Sequence, residues 1–438
     1  MLTVRPHLVL KSFETLKPKT SWSFAEFQRA ETTMMTHSYH RYPAKFIPQL
    51  VDKLIRQYTS EGDIVCDPFG GCGTTLVQSK MSGRQSIGFD INPVAKLITD
   101  TKTRAISPTK LVKAREFFVR KHGLMQKRKK QVKHSERIYY WFDKKVVREL
   151  DVIYASILSI EDNGTRRFFL CAFSHVLKNC SRWLMKSIKP TIDKDKEFPN
   201  PEITFLRHLD SMIKKNDAFH SSLSDSGRLK ISAKMKLWNS TKKLPLADRS
   251  VDLIVTSPPY VTSYEYADLH QLSLLWFGDD KKHFKNWDGV VNEFLDFKKQ
   301  FIGSGHKKVA HKEFGSRIAE DIVSNLEVVD RPLAQSVASY FSDMQAAFRE
   351  MHRILKRNKK ACVIIGNTEL QGVPILNAQV ATEQMMNLGF KKVKLIKREV
   401  SNKMITPWRD DKTGKFTGHK NPSKKRAYEF EYVLLMEK

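Results

Sequence analysis

Cysteine is scarce: the 438 residues hold five, Cys66, Cys72, Cys171, Cys180 and Cys362. An odd number with no C-x-x-C pair excludes a disulfide framework and a zinc knuckle, and leaves buried thiols as the reading. Long apolar runs are missing as well. No stretch reaches the roughly 18 residues a membrane span needs, and no charged-then-apolar start resembles a signal peptide. The expectation is a cytoplasmic protein without a membrane partner. Acidic side chains are in deficit, 47 Asp+Glu against 76 Lys+Arg, for a net charge of +29. That excess costs a compact chain self-repulsion and calls for a polyanion, with nucleic acid ahead of a membrane surface. Glycine and proline are modest at 19 and 17, while 41% of residues are hydrophobic and 10% aromatic, so wholesale disorder, collagen and low complexity are excluded. There are no internal repeats, and the length allows two or three domains or one elaborated domain.

Periodicity supplies the organisation. Residues 1–40 show none that is clean. From Phe46, the positions Ile47, Leu50, Val51, Leu54, Ile55 and Tyr58 recur at three and four, one face of a helix that Gly62 stops. A short strand over 63–67, a glycine turn, a helix over Thr74–Met81 closed by Gly83, and a strand over Gln85–Asp90 follow. This β-α-β unit predicts parallel strands, hence an α/β, Rossmann-like, doubly wound sheet. Residues 105–135 then carry ten Lys/Arg and one Glu, and aromatic and aliphatic residues recur at helical spacing to about Lys186. The division expected is 1–104 as the N-terminal part of the catalytic domain, 105–230 as a basic, mostly helical insertion, and 231–277 as the return to the sheet. A second basic excursion, 278–332, precedes the C-terminal part, 333–438. That last part holds a long helix carrying Val337, Tyr340, Met344, Phe348, Met351 and Leu355, then strands in ACVIIGN, KKVKLIKREV and EFEYVLLMEK. Insertions into such a sheet are where substrate specificity is commonly placed.

DPFGGCGTT (67–75) lies between a strand and a helix, where free N–H groups can meet a ligand. Gly71 and Gly73 fit the start of G-x-G-x-x-G, but Leu76 occupies its third place, which disfavours a pyrophosphate reader. Asp90 ends the next strand, suitably placed to accept both hydroxyls of a ribose. A ligand with an adenosine and no pyrophosphate satisfies both features, and S-adenosylmethionine is the commonest. Asp67 reads as an anchor for that ligand's ammonium group, or as a helix-preceding cap.

Ser257-Pro258-Pro259-Tyr260 ends the apolar run VDLIVT, at the strand edge where doubly wound sheets bind ligands. Two prolines fix φ and remove two donors, so the nearby carbonyls are stiffly aimed. A flat base bearing an exocyclic amine could stack on Tyr260 while donating to the Ser257 hydroxyl and the Pro258 carbonyl.

At these residues the chain resembles the amino-methylating DNA methyltransferases, which act on exocyclic nitrogens. DPFGGCG is similar to their S-adenosylmethionine motif, FDINP (89–93) to their acidic second motif, and TSPPY to their catalytic tetrad in the Ser form associated with cytosine N4. HRYPAKFIP (40–48), with Tyr42 and Pro43, is similar to the motif near the methionine end of the cofactor. The resemblance implies that Phe69, Gly71 and Gly73 line the cofactor, that Asp67 lies near its methionine, and that Asp90 takes the ribose. It makes Asn239 the counterpart of an acid found after the third strand in relatives, and gives Ser257, Pro258, Pro259 and Tyr260 the target amine. It further implies duplex DNA as partner, base flipping, a restriction-modification setting with a cognate endonuclease, and a nucleoid-associated location. Adenine N6 is the enzymatic alternative, RNA a further substrate, and a non-catalytic DNA-binding module with a relic pocket the alternative from another class. The absence of a Pro-Cys dipeptide counts against carbon-5 methylation. Weaker signals have two readings each. Arg166, Arg167, Arg182 and Trp183 are phosphate or base contacts, or a helix surface over an aromatic core. Lys45 is a contact to cofactor or DNA, or a solvated lysine. Tyr264 and Tyr266 read as packing, Lys127–Lys130 as phosphate contacts, and Gly366-Asn367 as pocket lining or a turn.

Overall fold

The structure, a computed structural model, describes residues 4–43, 45–127, 133–261, 266–280, 282–284, 294–304, 314–400, 408–410, 416–418, 420–426 and 430–438. Seven strands form the main sheet: β1 (Ile64–Asp67), β2 (Gln85–Asp90), β3 (Ala233–Leu237), β4 (Val251–Thr256), β5 (Leu355–Ile365), β6 (Lys391–Glu399) and β7 (Phe430–Glu437). Their spatial order is β3-β2-β1-β4-β5-β7-β6. β1 to β5 run parallel, and β7 is antiparallel to both of its neighbours. The chain therefore winds outward from β1 to β3, then returns to β4 on the other side. The point of reversal lies between β1 and β4, and the crevice beyond their carboxyl ends is where such sheets take ligands.

Side chains along the central strands alternate between two cores, as the pleat requires. Val65, Leu253, Val255, Cys362, Ile364, Val433 and Leu435 pack with helix α1 (Pro48–Tyr58), whose Leu50, Val51, Leu54 and Ile55 form the predicted stripe. Cys66, Ile254, Ala361, Val363, Ile365, Leu434 and Met436 face the opposite layer. Two short helices follow the first strands: α2 (Thr74–Met81), and α3 (Pro93–Thr103), which starts where the Asn92 side chain accepts the Val94 N–H at 2.9 Å. The predicted bounds of α2 and β2 coincide with the observed ones.

Between α3 and β3 lie four long helices, α4 (Pro108–Gln126), α5 (Lys144–Leu158), α6 (Asn163–Cys180) and α7 (Pro201–Asp225), with a short one at Glu136–Trp141. Their aromatic core is continuous with Leu97 and Ile98 of α3 and with Leu275, Trp276 and Phe277 of α8 (Gln271–Gly278), the helix downstream of the tetrad. The second excursion contains α9 (Arg317–Val329), and Asp330 then caps α10 (Arg331–Ile354), which with α11 (Asn377–Asn387) covers the second sheet face. Leu355, expected on the long helix, instead opens β5: its ψ of 136° is extended, and it pairs with Val251. All five cysteines are buried and free. Among the described residues, no helix is long and apolar enough to cross a membrane.

Candidate active site

At the carboxyl edge of β1, β2 and β4 an open-mouthed cavity lies between the strand ends, the position where doubly wound sheets take ligands. Its floor is the turn after β1. Gly71 and Gly73 adopt φ of +49° and +77°, left-handed values that glycine takes without strain. The Gly71 N–H donates to Asp90 Oδ2 at 3.0 Å, and Thr99 Oγ1 donates to the Gly71 carbonyl at 2.9 Å. The Tyr42 ring lies over Gly71, where an added Cβ would stand 3.2 Å from the tyrosine hydroxyl.

Two carboxylates dominate the electrostatics. Asp67, ending β1, accepts hydrogen bonds from the Phe69 N–H (3.1 Å) and from the hydroxyls of Thr75 (2.8 Å) and Thr256 (2.6 Å). Burial pushes it up to about 6 against the pull of those donors. Asp90 accepts from the N–H groups of Gly71 and Asn92, and burial pushes it, too, up to about 6. Among the described residues neither has a basic partner within ion-pair distance. Lys45, also in the wall, donates to the His37 carbonyl at 2.8 Å, and burial followed by the charge of Lys102 brings it down to about 8.

The tetrad meets this turn through Thr256, the residue immediately before it, whose hydroxyl binds Asp67. Ser257 and Pro259 line the same cavity as Tyr42, Asp67, Phe69, Gly71, Asp90 and Asn239. The structure thus brings most of the expected residues together. Pro43, Gly73, Pro258 and Tyr260 lie outside the wall. Gly73 sits beneath Thr99, Pro258 is buried, and the Tyr260 ring packs against Gly366 with its hydroxyl donating to Glu431 Oε1 at 3.1 Å. Tyr340 donates to the Pro259 carbonyl at 2.9 Å, which fixes the loop from below. Asn239 accepts from the N–H and hydroxyl of Thr241 and so is turned into its own loop.

Sequence reasoning missed Phe46, Trp238, Gln300, Phe301 and Ile302, all in the wall. Trp238 follows β3 directly, and the strand-end logic that found Asp90 would have found it. Phe301 and Ile302 carried no signal, because they sit in the polar second excursion. Of the secondary candidates, Arg167 pairs with Asp100 at 3.2 Å, Arg166 and Arg182 donate to backbone carbonyls, and Trp183 is 1% exposed. Asn367 caps α11 by accepting the Ala378 N–H, in a turn rather than in the wall. Tyr264 and residues 128–130 lie outside the described residues, as does the Tyr266 side chain.

Known proteins resemble this chain along its length. The family model described as DNA methylase, of the N6/N4 type, matches residues 11–100. The Type II methyltransferase M.MvaI of Kocuria varians is 25% identical over 426 residues, covering 90% of each chain. M.BsoBI of Geobacillus stearothermophilus is 24% identical, covering 84% of this chain and 81% of its own. M.BamHI of Bacillus amyloliquefaciens reaches 54% identity over 43 residues, 10% of each chain. The glycine turn and part of the Ser-Pro-Pro-Tyr loop thus line one cavity, in a chain whose residues 11–100 match the N6/N4 DNA methylase model and which is similar to Type II methyltransferases over most of its length.

Proposed function

We propose that this protein transfers a methyl group from S-adenosylmethionine to the exocyclic N4 amine of a cytosine swung out of duplex DNA. The observation that carries the reading is the Thr256–Asp67 hydrogen bond, 2.6 Å long, which ties the tetrad strand to the cofactor turn and sets Ser257 and Pro259 in one cavity with Phe69, Gly71 and Asp90. The cavity fits the donor. Asp67, buried, and Asp90, half-buried, have no basic partners among the described residues and favour a cationic ligand with hydroxyls to bind. The donor supplies a sulfonium methyl group, and transfer needs orientation more than covalent help. Phe69 and Tyr42 would flank it, Asp67 its ammonium, Asp90 its ribose. The Ser257 hydroxyl and Pro258 carbonyl would accept from the target amine, and Tyr260 would stack on the base.

Serine at the tetrad's first position favours cytosine N4 over adenine N6. Residues 105–230 are the proposed target-recognition region, and the Type II relatives support a restriction-modification setting with a cognate endonuclease. The test is incubation with S-adenosylmethionine and unmethylated DNA, followed by nucleoside mass spectrometry. N4-methylcytosine is the expected product. N6-methyladenine would replace the base assignment, and absence of methyl transfer would overturn the reading.

A further inference from the structure

Behind the tetrad lies a buried ion pair. Glu431 of β7 and Arg398 of β6 stand opposite each other across the antiparallel pair and are 8% and 4% exposed. Arg398 donates to Glu431 Oε2 and to the Ser23 carbonyl, each at 3.3 Å, and the other glutamate oxygen accepts the Tyr260 hydroxyl at 3.1 Å. A buried ion pair is by itself a weak stabiliser, because desolvation offsets most of the attraction. This one ends on the aromatic residue of the tetrad. The ring edge beside that hydroxyl is also fitted: at Gly366, just after β5, an added Cβ would stand 3.2 Å from Tyr260 Cε2. The ring is held by the prolines on its backbone, by the missing side chain beside it, and by a carboxylate at its hydroxyl.

We propose that Glu431, oriented by Arg398, is a positioning residue for Tyr260. It fixes the ring so that one face is offered to the extruded base, and its negative charge makes the phenol electron-rich. The role rests on the methyl-transfer function proposed above. In that reaction the amine nitrogen forms its bond to the methyl carbon with its own electron pair, the carbon–sulfur bond breaks with its pair going to sulfur, and the nitrogen then releases a proton to water. Until it does so the base carries positive charge, which an electron-rich ring face stabilises. Glu431 thereby acts on the rate of transfer and not on the donor's affinity. It also gives Gly366, singled out in the sequence, a use: room for the ring.

The test is a double-substitution cycle of Tyr260→Phe and Glu431→Gln, read as single-turnover methyl transfer to DNA and as S-adenosylmethionine affinity. Each single variant is expected to lower the rate about tenfold and to leave donor affinity within twofold, and the double variant to be no slower than the worse single one. Should Glu431→Gln fold poorly because Arg398 has lost its counter-charge, Arg398→Met with Glu431→Gln removes both charges and must show the same rate loss. Losses that multiply, or an unchanged rate in Glu431→Gln, overturn the proposal. A wild-type protein that transfers no methyl to DNA overturns the underlying function, whereas an active wild type with multiplying losses overturns only the role of Glu431.

Discussion

Asp67 and Asp90 are costly residues to keep. Asp67 is buried and Asp90 half-buried in the cavity wall, and both are pushed from about 3.8 to about 6, a shift equivalent to about 3 kcal/mol of differential interaction. Because both values are raised on folding, the stability these groups contribute is fully present below about pH 3.8 and is lost as pH rises through about 6. At neutral pH they are ionised and unpaired among the described residues, a burden that a bound cation relieves. The same titration runs in the opposite direction for the ligand. Acid below pH 6 neutralises the carboxylates, so S-adenosylmethionine should bind more weakly at pH 5.5 than at pH 7.5 and raise Tm less there. Isothermal titration at the two values checks this. Asp67→Asn sharpens the point: at pH 7.5 the free variant should melt no lower than wild type, while donor affinity falls about 10- to 100-fold, as for loss of a charged hydrogen bond. A variant that melts lower and binds normally would make Asp67 a scaffold residue.

At the scale of elements, what could be read in advance was what is local. α2 and β2 are bounded by Gly73, Gly83 and Asp90, and their limits were legible because glycine punctuation and strand alternation act over a few residues. α9 carried its stripe, Ile318, Ile322, Val323 and Leu326, inside the stretch read only as a second basic excursion. The cavity wall was half legible. Motif residues were found, while Phe301 and Ile302 enter it from a distant part of the chain for reasons no local pattern encodes. A G-x-G motif also does not separate a glycine that faces a ligand from one that makes the turn. Gly73 is the second kind, with φ of +77° and an added Cβ falling 2.5 Å from Thr99 Cγ2. Gly73→Ala should therefore act through the element, costing about 1–2 kcal/mol for the left-handed backbone alone and lowering Tm by several degrees. Thr99→Ala in that background removes the clash and should recover part of the loss. If it recovers nothing, packing beneath the turn plays no role, and the backbone conformation accounts for the whole effect.

For the molecule as a whole, the decisive fact is the shared core. The helices α4 to α7 bury their aromatic residues together with α3, which follows the Asp90 strand, and with α8, which follows the tetrad. The inserted region is thus keyed to both halves of the site, and phosphates gripped by it would be held at a fixed distance from the cavity. The net charge of +29 would give that grip its energy, and much of the surplus is in the insertion. On α4, Lys110 and Arg115 are neutralised by Asp162 and Asp210. Lys113 and Arg120 are exposed and, among the described residues, form no ion pair. If this face meets the duplex, binding should fall steeply with salt, at about −0.9 in log–log slope for each phosphate neutralised. Replacing Lys113 and Arg120 by glutamine should then flatten the slope by about 2, weaken binding to all sequences alike, and leave S-adenosylmethionine affinity unchanged. An unaltered slope would move the phosphate contact off α4 and onto the second basic excursion, residues 278–332. A lost cofactor affinity would mean that the shared core transmits changes from the insertion to the sheet.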